Sequence, residues 1–486
     1  MARECSALTR RDVLRAAGAL GLSAALQPVL AQAQEKKNNV LFVTVDDLNT
    51  QLGCYGNKIV QSPHIDGLAA RGIRFDRAYC QYPICNPTRS SVFTGMRPDT
   101  TGVYDNYTDF RDKLPDAVTL PHLFKDNGYT VLKYGKTFHG KYGDKDAWSK
   151  WSPKTPFRPT AKPVSRDHAD IKGITDPKEI KRRKAEWMYC WKASDNPDEL
   201  HADGRYARMT VRAMEELKEK PFFISLGFAK PHVPLVAPKK YFELYDPKDM
   251  PLNRGPENDL DDVPKAAGRP NFRKYFQHYL HHDMTDDEAR QVIAAFYACT
   301  TFMDAQLGVV LDALDRLQIA DRTLIVFWGD HGWHLGEHWL WAKRTLFEES
   351  CRVPLLIAGP GVARPGTPCE SVVECVDLYP TAAEVCGLPR PPGLEGVSLV
   401  PLMKDPNRPW KKCAFTQMKR GDTMGTSIRT ERYRYTEWGD KSHAELYDHQ
   451  TDPHEYTNLA KQPEHAETVD NLHKLLHAGW RAARPS

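Results

Sequence analysis

The chain has 486 residues, too many for one small core, so length alone predicts two to three domains. Hydrophobic residues make up 41% and charged residues 27%, the balance of a soluble globular protein. The formal net charge of +4 comes from mixed signs with no long basic run; that excludes nucleic acid as the main partner, because phosphate binding needs a concentrated basic face, yet it leaves room for a local basic pocket holding a small anion.

The first 33 residues read as a targeting segment. Arg10 and Arg11 precede an apolar stretch from Ala16 to Leu30, and Ala31-Gln32-Ala33 fits the small-residue cleavage rule. The paired arginines favour export by the twin-arginine route, to the periplasm or the outside of the cell. The alternative is an N-terminal membrane anchor. Against it, the run is shorter than the ~20 residues of a span and contains Pro28. No later segment is read as long and apolar enough to span a membrane, so no stable span is expected after removal of the signal.

Asn39 to Val45 is a continuous apolar run, the pattern of a strand buried on both faces of a parallel sheet, and it ends in Asp46-Asp47. Three later runs repeat this design. Tyr129–Tyr134 leads into Lys136 and His139, Phe222–Leu226 into Lys230 and His232, and Thr323–Trp328 into Asp330-His331. Between them lie helical stretches, the clearest opening with the capping box Thr285/Glu288 and running to Leu317. Alternating strands and helices predict an α/β fold with a central, mainly parallel sheet sandwiched by helices. In such sheets ligands bind outside the carboxyl ends of the strands, and here four strand ends carry acids, lysines and histidines.

Residues 141–200 and 245–275 show weak periodicity and read as insertions, either surface loops or walls of a pocket. His278, His281 and His282 read as an exposed face rather than a metal site, and the Asn106-Tyr107-Thr108 sequon carries no expected consequence behind a bacterial-type export signal. After Pro409 short β-like runs (414–416, 427–430, 433–438) precede a last helix over about His465 to Trp480. The expected division is 1–33 signal, 34–405 main domain, and 406–486 a small α+β subdomain with an antiparallel sheet. Of eleven cysteines, Cys5 leaves with the signal; the other ten show no CxxC pair or compact metal spacing, and their pairing stays open.

The segment Cys85-Asn86-Pro87-Thr88-Arg89, continuing to Thr94-Gly95, carries the chemistry. Pro87 is a helix-start residue, so Cys85 sits at a helix N-terminus, where backbone N–H groups favour an anion, with Arg89 one turn further in. The other reading of these residues alone is a buried cysteine before a helix. The segment resembles the sulfatase motif Cys-x-Pro-Ser/Ala-Arg with its following Thr-Gly, Thr88 standing where Ser or Ala is usual. Asp46-Asp47, Gly135-Lys136-x-x-His139, Lys230-Pro231-His232-x-Pro234, Asp330-His331-Gly332 and Gly336-Glu337-His338 through Lys343 also resemble sulfatase blocks, in the expected order across nearly the whole mature chain. Arg97–Thr101, Asp330–Trp333 and Ser427–Thr430 are most similar to the iduronate-2-sulfatase branch.

The resemblance implies an alkaline-phosphatase-like sandwich and a sulfuric ester hydrolase in which a maturation enzyme oxidises Cys85 to formylglycine. One hydroxyl of the hydrated aldehyde attacks sulfur and expels the alcohol; the second then loses its proton and ejects sulfate. It implies one calcium ion held by Asp46, Asp47, Asp330, His331 and residue 85. The three aspartates supply hard oxygen ligands, and His331 is the softer, odd donor. By the same resemblance Arg89 and Lys136 steady the hydrated aldehyde, His139 accepts the proton that triggers sulfate release, and Lys343 and His232 contact the sulfate. His232 is then the acid for the leaving alcohol. The expected substrate is a sulfated carbohydrate, as a terminal sugar of a polysaccharide fragment, with Trp333, His334, Trp339 and Trp341 either stacking on the sugar or packing in the core. Two rivals remain at this level: a phosphatase or phosphonate monoester hydrolase of the same superfold, and a non-catalytic binder of sulfated glycans.

Overall fold

The computed structural model describes residues 36–161, 174–268 and 274–485, apart from the side chains of residues 278 and 279; the expected targeting segment lies outside the described residues. From Asn38 onward the chain forms one compact unit. Its strands in chain order are β1 (Asn39–Val45), β2 (Gly72–Tyr79), β3 (Thr130–Gly135), β4 (Trp191–Ser194), β5 (Phe222–Phe228), β6 (Leu235–Pro238), β7 (Thr323–Gly329), β8 (His334–Leu335), β9 (Trp341–Ala342), β10 (Leu355–Ala358), β11 (Pro368–Glu374), β12 (Ala414–Arg420), β13 (Thr423–Arg429), β14 (Tyr433–Trp438) and β15 (Asp440–Asp448).

Seven strands form the central sheet in the order β11-β2-β10-β7-β1-β5-β3. Only β10 runs antiparallel to its neighbours β7 and β2; the other pairings are parallel. All seven residues of β1 are buried, as its unbroken apolar run requires. Alternation then sends Val40 and Phe42 into the core on one face, with Val92, Phe93, Leu123 and Leu378. Leu41, Val43 and Val45 enter the core on the other, with Leu68, Met214, Leu307 and Leu314. Helices therefore cover both faces, and full burial of each large aliphatic side chain contributes about 1.5–3 kcal/mol.

The long helix Asp286–Arg316 opens with the expected capping box: Glu288 N–H donates to Thr285 Oγ1 at 3.3 Å and Thr285 N–H to Glu288 Oε2 at 2.8 Å. One expectation is corrected here. This helix is long and apolar enough to cross a membrane, but 89% of its apolar stretch is buried inside the fold, which is the setting of a core helix.

The C-terminal region holds a second, antiparallel sheet, β12-β13-β14-β15. The last helix, Ala466–Ala482, presents Val469, Leu472 and Leu476 to Ile428, Tyr435 and Leu446 of that sheet. Glu374 at the end of β11 joins the two sheets. It pairs bidentately with Arg97 at 2.7 and 2.6 Å, binds Lys411 at 2.7 Å and accepts from Phe415 N–H in β12 at 3.0 Å. The motif residue Arg97 is thus a fastening between sheets.

Part of the 141–200 segment is regular structure. Pro177–Met188 is a helix N-capped by Asp176, and β4 pairs in parallel with β6 beside the main sheet. All ten described cysteines are free thiols.

Candidate active site

The register of the central sheet brings four strand ends to one line. Val45 pairs with Phe228 of β5 and with Gly329 of β7, and Gly135 of β3 pairs with Gly227 of β5. Asp46-Asp47, Lys136, the turn from Ala229 to His232, and Asp330-His331 therefore emerge side by side at the carboxyl edge. Asp46 N–H donates to the Phe228 carbonyl at 3.2 Å, and Asp330 N–H to the Val45 carbonyl at 3.1 Å. Asp47 then takes a left-handed backbone conformation (φ 63°), which aspartate tolerates better than most residues. Its N–H donates to Asp330 Oδ1 at 3.1 Å, so strands distant in sequence are clamped through the acids themselves.

Cys85 opens the helix Cys85–Thr94, which follows β2 at the same edge. Its Sγ lies 3.4 Å from Asp46 Oδ1, 3.3 Å from His331 Nε2 and 3.6 Å from Lys343 Nζ. One turn on, the fully buried Arg89 donates from Nε to Asp330 Oδ2 at 2.8 Å. Its Nη1 donates to the carbonyls of both Lys136 and Thr137. Lys136 Nζ contacts Asp46, and Lys343 Nζ contacts Asp47. Lys343 arrives from β9 between two left-handed residues, Ala342 (φ 72°) and Arg344 (φ 76°); such strain is sustained only where the surroundings fix the backbone.

The electrostatics follow. Burial would raise the Asp46 carboxyl, but Lys136, His232, Arg89 and Lys343 hold it well below the usual carboxylate range. Burial and Asp46 push the Cys85 thiol up, but Lys136, Lys343 and His331 outweigh them and hold it well below the usual thiol value. Burial lifts Asp330 to about 6 against the pull of His331 and Arg89. Burial would depress His331, yet Asp330 and Cys85 raise it to about 9.

These residues fit a divalent cation. Donor atoms of Asp46, Cys85, Asp330 and His331 lie within 4.8 Å of one another, as do those of Asp46, Asp47, Cys85 and His232. Asp47 Oδ2 is buried without a hydrogen-bond partner. His331 Nδ1 meets the Gly332 carbonyl at 3.0 Å, a contact that puts the proton on Nδ1 and turns the Nε2 lone pair of a neutral ring toward the acids. The cluster that draws a second proton onto His331 would instead draw a cation, since a ligating imidazole must be neutral. Three carboxylates, hard oxygen donors, point to calcium or magnesium rather than a softer metal.

A cavity of about 590 Å³ opens beside this cluster, lined by Asp46, Lys136, His139 and His232 among others. His139 makes no polar contact with the cluster, and its Nδ1 is buried without a hydrogen-bond partner. His232 Nδ1 donates to the Val233 carbonyl at 2.6 Å, which leaves Nε2 facing the acids, 3.8 Å from Asp47 Oδ2. Burial lowers the His232 pKa, with Asp47 and Asp46 pulling it part of the way back.

The structure thus gathers Asp46, Asp47, Cys85, Arg89, Lys136, His232, Asp330, His331 and Lys343 in one cluster, with His139 on the adjoining wall. Of the two readings left open for the aromatic residues, it favours packing over sugar stacking. Trp333 is 1% exposed beneath Lys343 Nζ and stacks on Phe296, and Trp341 packs on Phe276. Trp339 donates to the carbonyls of Gly255 and Pro256, and the buried His334 bonds Thr345. One contributor had no sequence signal. Asp203 accepts from Ala229 and Lys230 N–H at 2.9 and 2.8 Å and so shapes the turn that presents His232. Lys184, Trp187 and Met188, from the helix in the 141–200 segment, wall the cavity. The metal reading of the histidine cluster gains nothing: His281 and His282 are exposed and bond Glu186 and Glu288.

The sequence profile of the sulfatase family matches residues 38–388, and the profile described as N-sulphoglucosamine sulphohydrolase, C-terminal, matches residues 336–481. The chain is 33% identical to a sulfatase of Formosa agariphila over 464 residues, covering 93% of this chain and 89% of that protein. It is 31% identical to iduronate 2-sulfatase of Mus musculus over 520 residues, covering 89% of this chain and 93% of that one. Among solved structures it is similar to a 2-O GAG sulfatase, with a TM-score of 0.69, 25% identity, and 91% of this chain and 92% of that chain covered. A phosphonate monoester hydrolase from Silicibacter pomeroyi shares the fold, with a TM-score of 0.74 at 23% identity and coverage of 92% and 96%.

Proposed function

The chain belongs to the sulfatase family of sulfuric ester hydrolases, and from that premise we propose that it removes sulfate from a sulfated carbohydrate, in the manner of an iduronate-2-sulfatase, through a formylglycine made from Cys85 and one calcium ion. The observation that carries this reading is the convergence on Cys85 Sγ of Asp46, His331 and Lys343 at 3.3–3.6 Å, at a helix N-terminus. On this reading Sγ stands where the oxygens of the hydrated aldehyde would be. Formylglycine supplies a carbon bearing two hydroxyls, so that sulfate is taken by one and released through the other. Asp46, Asp47, Asp330, His331 and residue 85 would hold the calcium ion, which would supply a Lewis acid to polarise sulfate and lower the pKa of the attacking hydroxyl.

The remaining work falls to the side chains. Asp46, Asp47 and Asp330 are matched by the permanent cations Arg89, Lys136 and Lys343. A divalent ion therefore leaves the site with a net positive charge, which suits a sulfate-ester anion. Arg89 fixes Asp330 and the carbonyls of Lys136 and Thr137, so it sets the backbone that carries Lys136. Lys343 faces both Asp47 and residue 85, the position from which to hold a sulfate oxygen. His139, with Nδ1 unpartnered, takes the proton that frees sulfate. His232, its Nδ1 proton fixed on the Val233 carbonyl, delivers a proton from Nε2 to the alcohol oxygen as the S–O bond breaks.

His232→Ala is expected to slow poor leaving groups, such as sugar alcohols, about 10²–10⁴-fold and activated aryl sulfates much less. Equal losses on both, read as kcat/KM, would contradict the acid role. Stripping the protein with a chelator should abolish turnover and lower the melting temperature. Calcium at about 100 times its Kd should restore roughly 2.7 kcal/mol of stability. An unchanged melting curve after chelation would count against an ion bridging these strand ends.

The carbohydrate reading rests on the resemblance to iduronate 2-sulfatase and on a cavity within the roughly 300–1,000 Å³ range of small-ligand pockets, which suits a chain end better than a passing polymer. Export by the twin-arginine route would bring the enzyme to such glycans. The test is a desulfation screen of defined sulfated oligosaccharides beside their intact polymer, aryl sulfate, choline sulfate and aryl phosphate. Far higher efficiency on choline or aryl sulfate than on every sugar tried would overturn the carbohydrate assignment. Preference for the phosphate would overturn the sulfatase mechanism proposed for this site.

A further inference from the structure

The last helix carries two histidines one turn apart, His473 and His477, in the stripe beside its buried Val469, Leu472 and Leu476. Both rings turn toward one carboxylate of β14. His473 Nδ1 lies 2.6 Å from Glu437 Oε1, and His477 Nε2 lies 2.9 Å from Glu437 Oε2. The rings sit 4.4 Å apart, and one ligand atom from each of the three residues falls within 4.8 Å of the others. None of them lines the cavity at Cys85.

We propose that Glu437, His473 and His477 form a second metal site, for a divalent transition-metal ion of the zinc type. Two imidazoles and one carboxylate are the donor set of open zinc sites, which leave the fourth position to water. The choice differs from that at Cys85, where oxygen donors dominate; nitrogen-rich ligation selects zinc over calcium. The geometry is nearly in place. Donors at ~2.0–2.1 Å around a tetrahedral ion stand about 3.3 Å apart, so the two imidazoles need only draw back by about half an ångström from the carboxylate. The carboxylate is held for this. Glu437 is 4% exposed, and Tyr435 O–H donates to its Oε1 at 2.7 Å, the kind of outer bond that orients a metal-binding carboxylate. Access is also present, since the His473 and His477 side chains are 34% and 60% exposed. An ion here would staple the C-terminal helix to the second sheet.

The test titrates zinc into the full-length protein by calorimetry in excess calcium, comparing the wild type with His477→Ala and with His473→Ala/His477→Ala. None of the three residues touches the Cys85 cluster, so turnover in zinc-free buffer should be unchanged; losing the histidines leaves the buried Glu437 without two of its partners, so each variant is also melted in zinc-free buffer to separate that loss of stability from loss of zinc binding. Loss of even an outer-shell partner costs roughly 10–100-fold in metal affinity, so the double variant should bind at least about 100-fold more weakly. The wild type should also melt higher with zinc and give the intense visible absorption of tetrahedral cobalt when cobalt replaces it; the variants should do neither. Equal uptake by wild type and variants would place any bound zinc elsewhere. No uptake by the wild type at micromolar zinc would mean that the three groups share only protons. Either result overturns the proposal.

Discussion

Cys85→Ala is expected to abolish sulfate-ester turnover, by a factor on the order of 10⁶, the size of loss seen when a hydrolase loses its covalent nucleophile. Nothing else in the cluster can replace it. Residue 85 is 1% exposed, at the head of its helix, and touches an acid, a lysine and an imidazole together. The side chain is small, so its truncation leaves little cavity and the melting temperature should hardly move. Activity and stability would then separate cleanly, which distinguishes a reacting group from a structural thiol. The same experiment has a chemical half. Mass spectrometry of the peptide spanning Cys85 from active protein should find an aldehyde in place of the thiol, and an unmodified thiol in fully active protein would refute the formylglycine assignment. Cys85→Ser would be a poor substitute, since a single hydroxyl can accept sulfate but has no second hydroxyl through which to release it.

The second large effect is expected at Arg89. Its guanidinium is wholly buried, 2.8 Å from Asp330 and 3.8 Å from Asp46. Removing one partner of a buried pair leaves an uncompensated charge, at a cost of about 3–5 kcal/mol. Arg89→Met should therefore lose about that much stability to urea in metal-free buffer, together with turnover. Saturating calcium should recover part of the stability, because an ion among Asp46, Asp47 and Asp330 offsets the same charges, but not the activity, because the Lys136 and Thr137 carbonyls have lost their donor. A stability loss below about 1 kcal/mol in metal-free buffer would show that Arg89 does not balance these acids. A loss unaltered by calcium would separate the ion from Arg89.

The candidate site was legible in the sequence because its groups end unmistakable elements. The apolar runs 39–45, 222–226 and 323–328 are strands that only burial on both faces permits, and each leads within four residues to a charged residue with no place in that core. The edge of the sheet was not legible. β2, Gly-Ile-Arg-Phe-Asp-Arg-Ala-Tyr, mixes charges into its run, and β10 is four residues long with its direction reversed, a fact set by its neighbours rather than by its composition. The tryptophans could not be assigned from sequence because an indole near an anion site reads alike whether it stacks on a sugar or supports a lysine. Trp333 does the second. Arg97 and Arg429 lie in the blocks that link the chain to the iduronate-2-sulfatase branch, but they pair with Glu374 and Glu348 and do not line the cavity. Asp203 escaped notice because backbone capping by a buried acid leaves no spacing to read.

The helix Pro177–Met188 and the β4–β6 pair stand outside the seven-stranded sheet, yet the helix supplies part of the cavity wall. The proposed chemistry and this wall of the cavity therefore sit on separate pieces of chain. The first is welded to strand ends that no short insertion can shift without breaking the sheet. The second hangs on an appendage that can lengthen, shrink or be exchanged while the acids and Cys85 keep their places. On the function proposed above, such a division makes the protein a fixed cutting edge with a replaceable guide, and it gives evolution, or an engineer, one segment to rewrite when a different substrate has to fit.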